Sequence, residues 1–452
     1  MRIFMLGWEF PPFISGGLGT ACYGLTRGLS ALGHQVIFVL PQPVESTYTT
    51  HVTLRAPTSR ETSALHRRFS STEFENVEFR AIQSMLQPYS TPEPDLLVHD
   101  VTRGVHVTES EQLVRTQTQG FVETTKSTMH ASGGGGGGPG GHYAGDMFAE
   151  VQRYARIAVE IALNETFDVI HAHDWMTYSA GIAVAAATGK PLVIHVHSTE
   201  FDRSGEHVNQ RIYDLERQGM HVATRVICVS HLTRNIVLHR YAAPAERVEV
   251  VYNAISSPEN HEVETPPPIG KHERIILFLG RITMQKGPEY FVAAAKMVLD
   301  YEKDVRFVMA GSGDMIRRVI ELAAELGIGH KFVFTGFLRG DDVARIFRMA
   351  DLYVMPSVSE PFGIAPLEAL SHDVPVLISK QSGVSEVLTH ALKVDFWDTR
   401  EMANMIIAVL RHPPLQNTLR EHGNFEIKRL TWEDSAQNCV NVYERAVRAS
   451  RR

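Results

Sequence analysis

Apolar residues open the chain as a short run, Arg2–Leu6 (RIFML), and then return as Leu18, Cys22, Leu25, Leu29 and Leu32 at alternating spacings of four and three. The run predicts a buried strand, and the spacing predicts one face of a helix. Gly33 supplies a stop for that helix, and Gln35–Leu40 (QVIFVL) is a second apolar run, so a β-α-β unit closes by Leu40. That order predicts a parallel sheet covered by helices.

From Pro41 to about Gly145 the periodicity fades into Thr- and Ser-rich sequence with strand-like fragments. The stretch ends in SGGGGGGPGG, Ser132–Gly141. A glycine run loses the most backbone freedom on ordering, so residues 45–145 read as an insertion with a mobile end, or as a flap over an acceptor site. Beyond it MFAEVQRYARIAVEIAL is an amphipathic helix, and FDVIHAHDW, PLVIHVH, RVICVS and RVEVVYN read as strands with helices between them. The first β/α domain extends to about Asn253.

Pro258–Lys271 (PENHEVETPPPIGK) mixes proline with charge and has no period, which marks a linker. A second series follows from Arg274: strand RIILFLG, helix GPEYFVAAAKMVL, strand VRFVMAGSG, helix IRRVIELAAEL, strand FVFTGF, helix DDVARIFRMA and strand LYVMPS. Two doubly wound domains facing one another leave a cleft at the carboxyl ends of both sheets, where such sheets bind ligands. The tail, Trp432–Arg452, reads as a helix whose arginines form a solvated end.

The length of 452 residues agrees with two or three domains. A formal charge of -7 argues against a nucleic-acid partner, leaving small molecules or neutral polymers. Cys22, Cys228 and Cys439 have neither disulfide nor zinc-cluster spacing and suit a reducing, cytoplasmic setting. The least polar stretch, Ala180–Val196, contains Lys190, Pro191 and His195 and is no membrane span.

Four clusters fall at expected strand ends. Gly16, Gly17 and Gly19 precede the first helix, where backbone N–H groups can hold a diphosphate; the spacing is not GxGxxG, and a plain turn reads as well. HAHDW, His171–Trp175, offers His173 and Asp174 to a substrate hydroxyl, or else a histidine that closes a strand. His197, with Glu200, Asp202 and Arg203, repeats the theme on the next strand. Arg281 and Lys286 in GRITMQKG suit a diphosphate leaving group, or a solvated loop. In SEPFGIAPLEAL, Glu360 sits in a loop and Glu368 one turn inside a helix that starts near Phe362. The N–H groups of Gly363, Ile364 and Ala365 lie between the two carboxylates. Helix capping by the two glutamates is the other reading.

Taken together, SGGLG, HAHDW, the GR…KG pair and the E-x7-E spacing of Glu360 and Glu368 resemble the retaining GT-B glycosyltransferases, families 4 and 5, among them the glycogen and starch synthases. The resemblance implies an N-terminal Rossmann-like domain, 1–256, for the acceptor. It further implies a nucleotide-sugar domain, 272–430, and a helix, 431–452, returning to the first domain. It implies Gly16 and Gly17 at the diphosphate or sugar, His173 on the transferred sugar, Arg281 and Lys286 on the diphosphate, Glu360 on sugar hydroxyls and Glu368 on the ribose. No two aspartates stand two positions apart, so the metal-binding D-x-D of the other glycosyltransferase fold is absent. Neither metal nor cofactor is expected, with the two cations in the ion's place.

Two departures bear on the acceptor. Bacterial-type glycogen synthases usually carry Lys where Ser15 stands, and they often lack the counterpart of Glu368. The leading expectation is glucose transfer from ADP-glucose or UDP-glucose to an α-glucan with retention. The alternatives are a family 4 enzyme with a small-molecule or lipid-linked acceptor, and a non-catalytic nucleotide-sugar-binding protein.

Overall fold

The computed structural model describes residues 1–10, 16–42, 64–68, 77–83, 147–255 and 273–451. The glycine run, most of the 45–145 insertion, the Pro258–Lys271 linker and Ser15 lie outside them.

Two doubly wound α/β sheets form the molecule. The first contains β1 (Arg2–Leu6), β2 (Gln35–Gln42), β3 (Ala64–Arg68), β4 (Val77–Gln83), β5 (Val169–His173), β6 (Leu192–Val196), β7 (Arg225–Cys228) and β8 (Val248–Val250), in the order β3-β4-β2-β1-β5-β6-β7-β8. All neighbours are parallel except β3, which runs antiparallel to β4. The second contains β9 (Arg274–Leu279), β10 (Val305–Ala310), β11 (Phe332–Gly336), β12 (Leu352–Met355), β13 (Val376–Ser379) and β14 (Leu392–Val394), in the order β11-β10-β9-β12-β13-β14. Strand order therefore reverses between β1 and β5 in one sheet and between β9 and β12 in the other. Those reversals open the crevices in which doubly wound sheets take their ligands.

Strands covered on both faces must be apolar throughout, and β5 and β6 are buried at every position. One face of the first sheet, with Phe4, Leu6, Ile170 and Ile194, packs on helices Met147–Leu163 and Trp175–Thr188. The opposite face, with Ile3, Met5, Val169 and Val193, packs on helices Gly17–Ala31 and Trp432–Ser450. The last two helices meet closely because Gly24 and Gly28 carry no side chain. A Cβ on Gly24 would stand 2.0 Å from the Trp432 ring, and one on Gly28 2.4 Å from the Trp432 carbonyl.

The first helix departs from its apolar spacing at one end. Cys22, Leu25 and Leu29 are buried as expected, but Leu32 is 37% exposed. The helix ends at Ala31, so Leu32 is its C-cap and turns away from the stripe. The helix expected from Phe362 instead begins at Ala365. Phe362 is part of the core beneath it.

Candidate active site

Each sequence-selected cluster lies on a loop that leaves one of the four strands at the reversals. Gly16 and Gly17 follow β1, His173 and Asp174 end β5, Arg281 and Lys286 follow β9, and Glu360 follows β12. Gly16 is the N-cap and Gly17 the first residue of helix Gly17–Ala31. A Cβ added to either would meet no described atom within 4 Å, so packing against the described residues does not call for glycine here.

In the second domain, Lys286 and Glu360 form an ion pair. Ser357 donates to the same Glu360 oxygen at 3.2 Å, and the Glu360 backbone bridges to β13's exit through Gln381 and Gly383. Arg281 donates to Gln285 at 3.4 Å, which orients the guanidinium beside the Lys286 turn. That turn closes through Gly287, at φ 63°, where a Cβ would strike the Pro356 carbonyl at 2.1 Å. The turn is thereby pressed on the loop that carries Glu360. Gly363 has φ 100°, and a Cβ there would crowd Glu360 at 3.1 Å and Met355 at 3.3 Å. Ahead of the first intrahelical donors, Leu367 and Glu368, stand the N–H groups of Gly363, Ile364 and Ala365. Glu368 lies in the first turn, and burial pushes its carboxyl up to about 7.

The first domain contributes a row of histidines. β5 and β6 pair in parallel with His173 opposite His195, and side chains alternate, so His171, His173, His195 and His197 share one face. His173 Nδ1 lies 2.9 Å from His197 Nε2, and His171 Nδ1 lies 2.7 Å from the Tyr443 hydroxyl of helix Trp432–Ser450. His171 and His173 have no exposed surface, whereas His197 is half-buried. The sequence reading put His173 on the sugar; the structure puts His197 between His173 and the surface. Burial drives all four imidazoles toward the neutral form, His171 and His197 to about 3.

Asp174 has φ 58° and ψ 167°, a backbone region a non-glycine residue enters only under constraint. Its carboxylate accepts from the N–H groups of His197 (2.7 Å) and Ser198 (3.2 Å), tying the end of β5 to the loop after β6. Burial nevertheless pushes that carboxyl up to about 7. Glu200 and Arg203 are absorbed within the first domain, and Asp202 is engaged locally through one carboxylate oxygen. Arg203 pairs with Glu200 (3.1 Å) and with buried Glu216 (2.5 Å), and Asp202 closes a capping box on Thr199.

These loops bring the domains together. Helix Glu200–Ser204 packs on the Met284–Lys286 turn, and Ser359 donates to Asp202 across the boundary at 2.5 Å. Glu386 of the second domain accepts from the His231 and Leu232 N–H groups, at 2.9 and 2.7 Å, and from Tyr252 at 2.9 Å. The sequence reading missed Ser359, Glu386 and the four-histidine row. HAH and HVH carried the one available signal, two i, i+2 histidine pairs on adjacent strands. Where the sequence held no metal motif, the structure gathers His171, His173 and His195 with ring nitrogens within 4.8 Å of one another.

No described helix is long and apolar enough to cross a membrane. The "Glycosyltransferase Family 4" profile matches residues 138–257 and "Glycosyl transferases group 1" matches residues 261–424. An uncharacterized glycosyltransferase of Methanocaldococcus jannaschii is 27% identical, covering 99% of this chain and 99% of its own. A glycogen synthase of Mycobacterium tuberculosis is 24% identical over 100% of this chain and 96% of its own. Among solved structures, a sucrose-phosphate synthase of Thermosynechococcus elongatus superposes with a TM-score of 0.68 at 18% identity, covering 99% of this chain and 100% of that one. The family 4 profile covers β5–β8 of the first sheet and the group 1 profile all six strands of the second, and the chain belongs to the GT-B glycosyltransferases of the family 4 and group 1 type.

Proposed function

We propose that the enzyme moves glucose from ADP-glucose or UDP-glucose to the end of an α-glucan with retention of configuration. The observation that carries this reading is the Lys286–Glu360 ion pair joining the loops after β9 and β12, with Arg281 on the Lys286 loop. A bound diphosphate would draw Lys286 and Arg281 onto its oxygens and free Glu360 to accept from sugar hydroxyls. Gly16 and Gly17 leave room for the diphosphate to approach backbone N–H groups. Gly363, Ile364 and Ala365 point further donors at it, and Glu368 accepts from the ribose.

In this scheme the bond from the anomeric carbon to the diphosphate oxygen breaks through an oxocarbenium-like state. The acceptor hydroxyl bonds that carbon on the same face, and its proton passes to the departing diphosphate. His173 serves the sugar through His197, whose ring it holds at 2.9 Å. Arg281 and Lys286 offset the charge that develops on the leaving group, so no ion is required there.

The glycogen synthase likeness over the whole chain supports the glucan acceptor. The presence of Glu368, together with the sucrose-phosphate synthase fold, supports a second reading with a small-molecule acceptor. Nucleoside diphosphate release across a panel of nucleotide sugars, with and without glycogen, tests both. Glycogen-stimulated release from a glucose donor is expected; release stimulated only by small acceptors selects the second reading. No release from any donor leaves a nucleotide-sugar-binding protein.

A further inference from the structure

We propose that Glu216 is a positioning residue for the transfer reaction. From within the first domain it fixes the loop after β6, residues 197–209, where that loop meets the two elements carrying Lys286 and Glu360. This role rests on the reading of a donor site split between the two domains and on no particular acceptor.

Glu216 is 1% exposed, inside helix Gln210–Val222. Withdrawing a carboxylate from water is unfavourable unless donors meet its oxygens, and an apolar residue would fill the same space with less desolvation. The donors come from outside the helix. Arg203 donates to Oε1 at 2.5 Å, while the Glu200 N–H at 3.0 Å and the Tyr241 hydroxyl donate to Oε2. Arg203 spreads its other nitrogens to Glu200 at 3.1 Å and Ser198 at 3.3 Å. Glu200 in turn accepts from the Asn209 N–H at 3.0 Å, so one buried side chain gathers both ends of the loop. The helix beneath is pressed on the body of the domain. A Cβ on Gly219 would stand 2.6 Å from the Tyr178 ring of helix Trp175–Thr188.

The outer side of the loop touches the second domain at two places. Asp202 spends Oδ2 within the loop, accepting from the Thr199 N–H and hydroxyl at 2.7 Å each, and its Oδ1 accepts from Ser359 at 2.5 Å. Gly205, at φ 60°, turns bare backbone toward Met284, whose terminal methyl would lie 3.9 Å from a Cβ there. Ser359 adjoins Glu360, and Met284 stands two residues ahead of Lys286. A shift of the loop therefore displaces both members of the pair that is to hold the donor. Misplacement of about 1 Å, even from a change far from the chemistry, costs roughly 10²-fold in rate. The carboxylate at 216 thus sets the direction of a loop that packing alone would leave free to shift.

Glu216→Gln keeps the volume and removes the charge that holds Arg203. Amide exchange of the unliganded full-length protein, read by mass spectrometry, should quicken at residues 197–209 and also at 284–287 and 357–360 in the second domain. This readout needs no turnover, so it judges Glu216 separately from the transferase reading. In steady-state kinetics kcat should fall roughly 10–100-fold, while ADP and UDP affinities measured by calorimetry stay within about threefold. Ser359→Ala should lower kcat in the wild type and little further in Glu216→Gln, since both act through one contact. Quickened exchange confined to the first domain, or additive losses of kcat, overturns the proposal and leaves Glu216 a structural residue only. If Glu216→Gln does not fold, Tyr241→Phe, which removes one of the donors to Glu216, should give the same exchange pattern at smaller size. Unchanged exchange at 284–287 and 357–360 in that variant rejects the role.

Discussion

His197 stands between His173 and the surface, its Nε2 2.9 Å from His173 Nδ1, and of the two rings it alone is partly exposed. A sugar bound at the carboxyl ends of β5 and β6 meets His197 first. Replacing His197 by alanine should lower kcat by about a hundredfold or more with the fold retained. The His197→Asn variant, which keeps a donor, should recover part of the loss. Steady-state kinetics with normal turnover in His197→Ala would remove this ring from the site.

Lys286 and Glu360 depend on one another, since each neutralises the other in the unliganded protein. Lys286→Ala and Glu360→Ala should each reduce kcat by roughly 10²–10³, the usual cost of losing one electrostatic contact to a transition state. Circular dichroism should be unchanged. Turnover within a few-fold of wild type for either variant would relocate the donor site.

With Glu368 on the ribose as proposed, nucleotide binding is expected to depend on pH. Burial raises its carboxyl from 4.5 to about 7 in the folded protein, so below that value it is protonated and a poorer acceptor for ribose hydroxyls. Nucleoside diphosphate affinity should therefore strengthen as pH rises through about 7, and Glu368→Gln should flatten the profile. The stability sign is opposite. A raised carboxyl binds its proton more tightly when folded, so the contribution is intact below 4.5 and is lost as pH rises through about 7. Melting curves should show Glu368→Gln gaining on wild type above neutral pH; a parallel pair of curves would contradict the assignment.

Gly24 admits the Trp432 ring at a distance no side chain would allow. Gly24→Ala should destabilise the protein by about 1–3 kcal/mol through overpacking. Limited proteolysis should then cut earlier within Trp432–Ser450. An unchanged melting temperature would mean that the two helices can separate at little cost.

Glu386 clasps the domains by accepting three hydrogen bonds from the other side. Glu386→Ala should enlarge the radius of gyration of the unliganded protein in small-angle scattering, and saturating nucleotide should compact it again. An identical profile for variant and wild type would assign closure to the Ser359–Asp202 contact instead.

Strands β1, β2 and β5–β12 were legible because burial on two faces demands uninterrupted apolar residues, as at RIFML and RIILFL, whereas β3, β4, β13 and β14 were not singled out. The loops carrying Gly16, His173, Arg281 and Glu360 were legible too, since glycine, histidine and charge interrupt those runs at strand ends. Leu32 and Phe362 were misplaced for a local reason. Helix termini are set by capping and by what lies beneath, and neither leaves a period in the sequence.

By itself the sequence determined the alternation of strands and helices, and with it a pair of parallel sheets. It also determined which residue types stand at the strand ends, because both depend on neighbours a few positions apart. Only the tertiary structure decided that His173 lies opposite His195, that His197 screens His173, and that Glu386 caps a helix of the other domain. It likewise decided that Trp432 fills the space left by Gly24. Each of these relations joins residues distant in the chain through strand register or domain contact, and such pairings are fixed by packing across the whole fold.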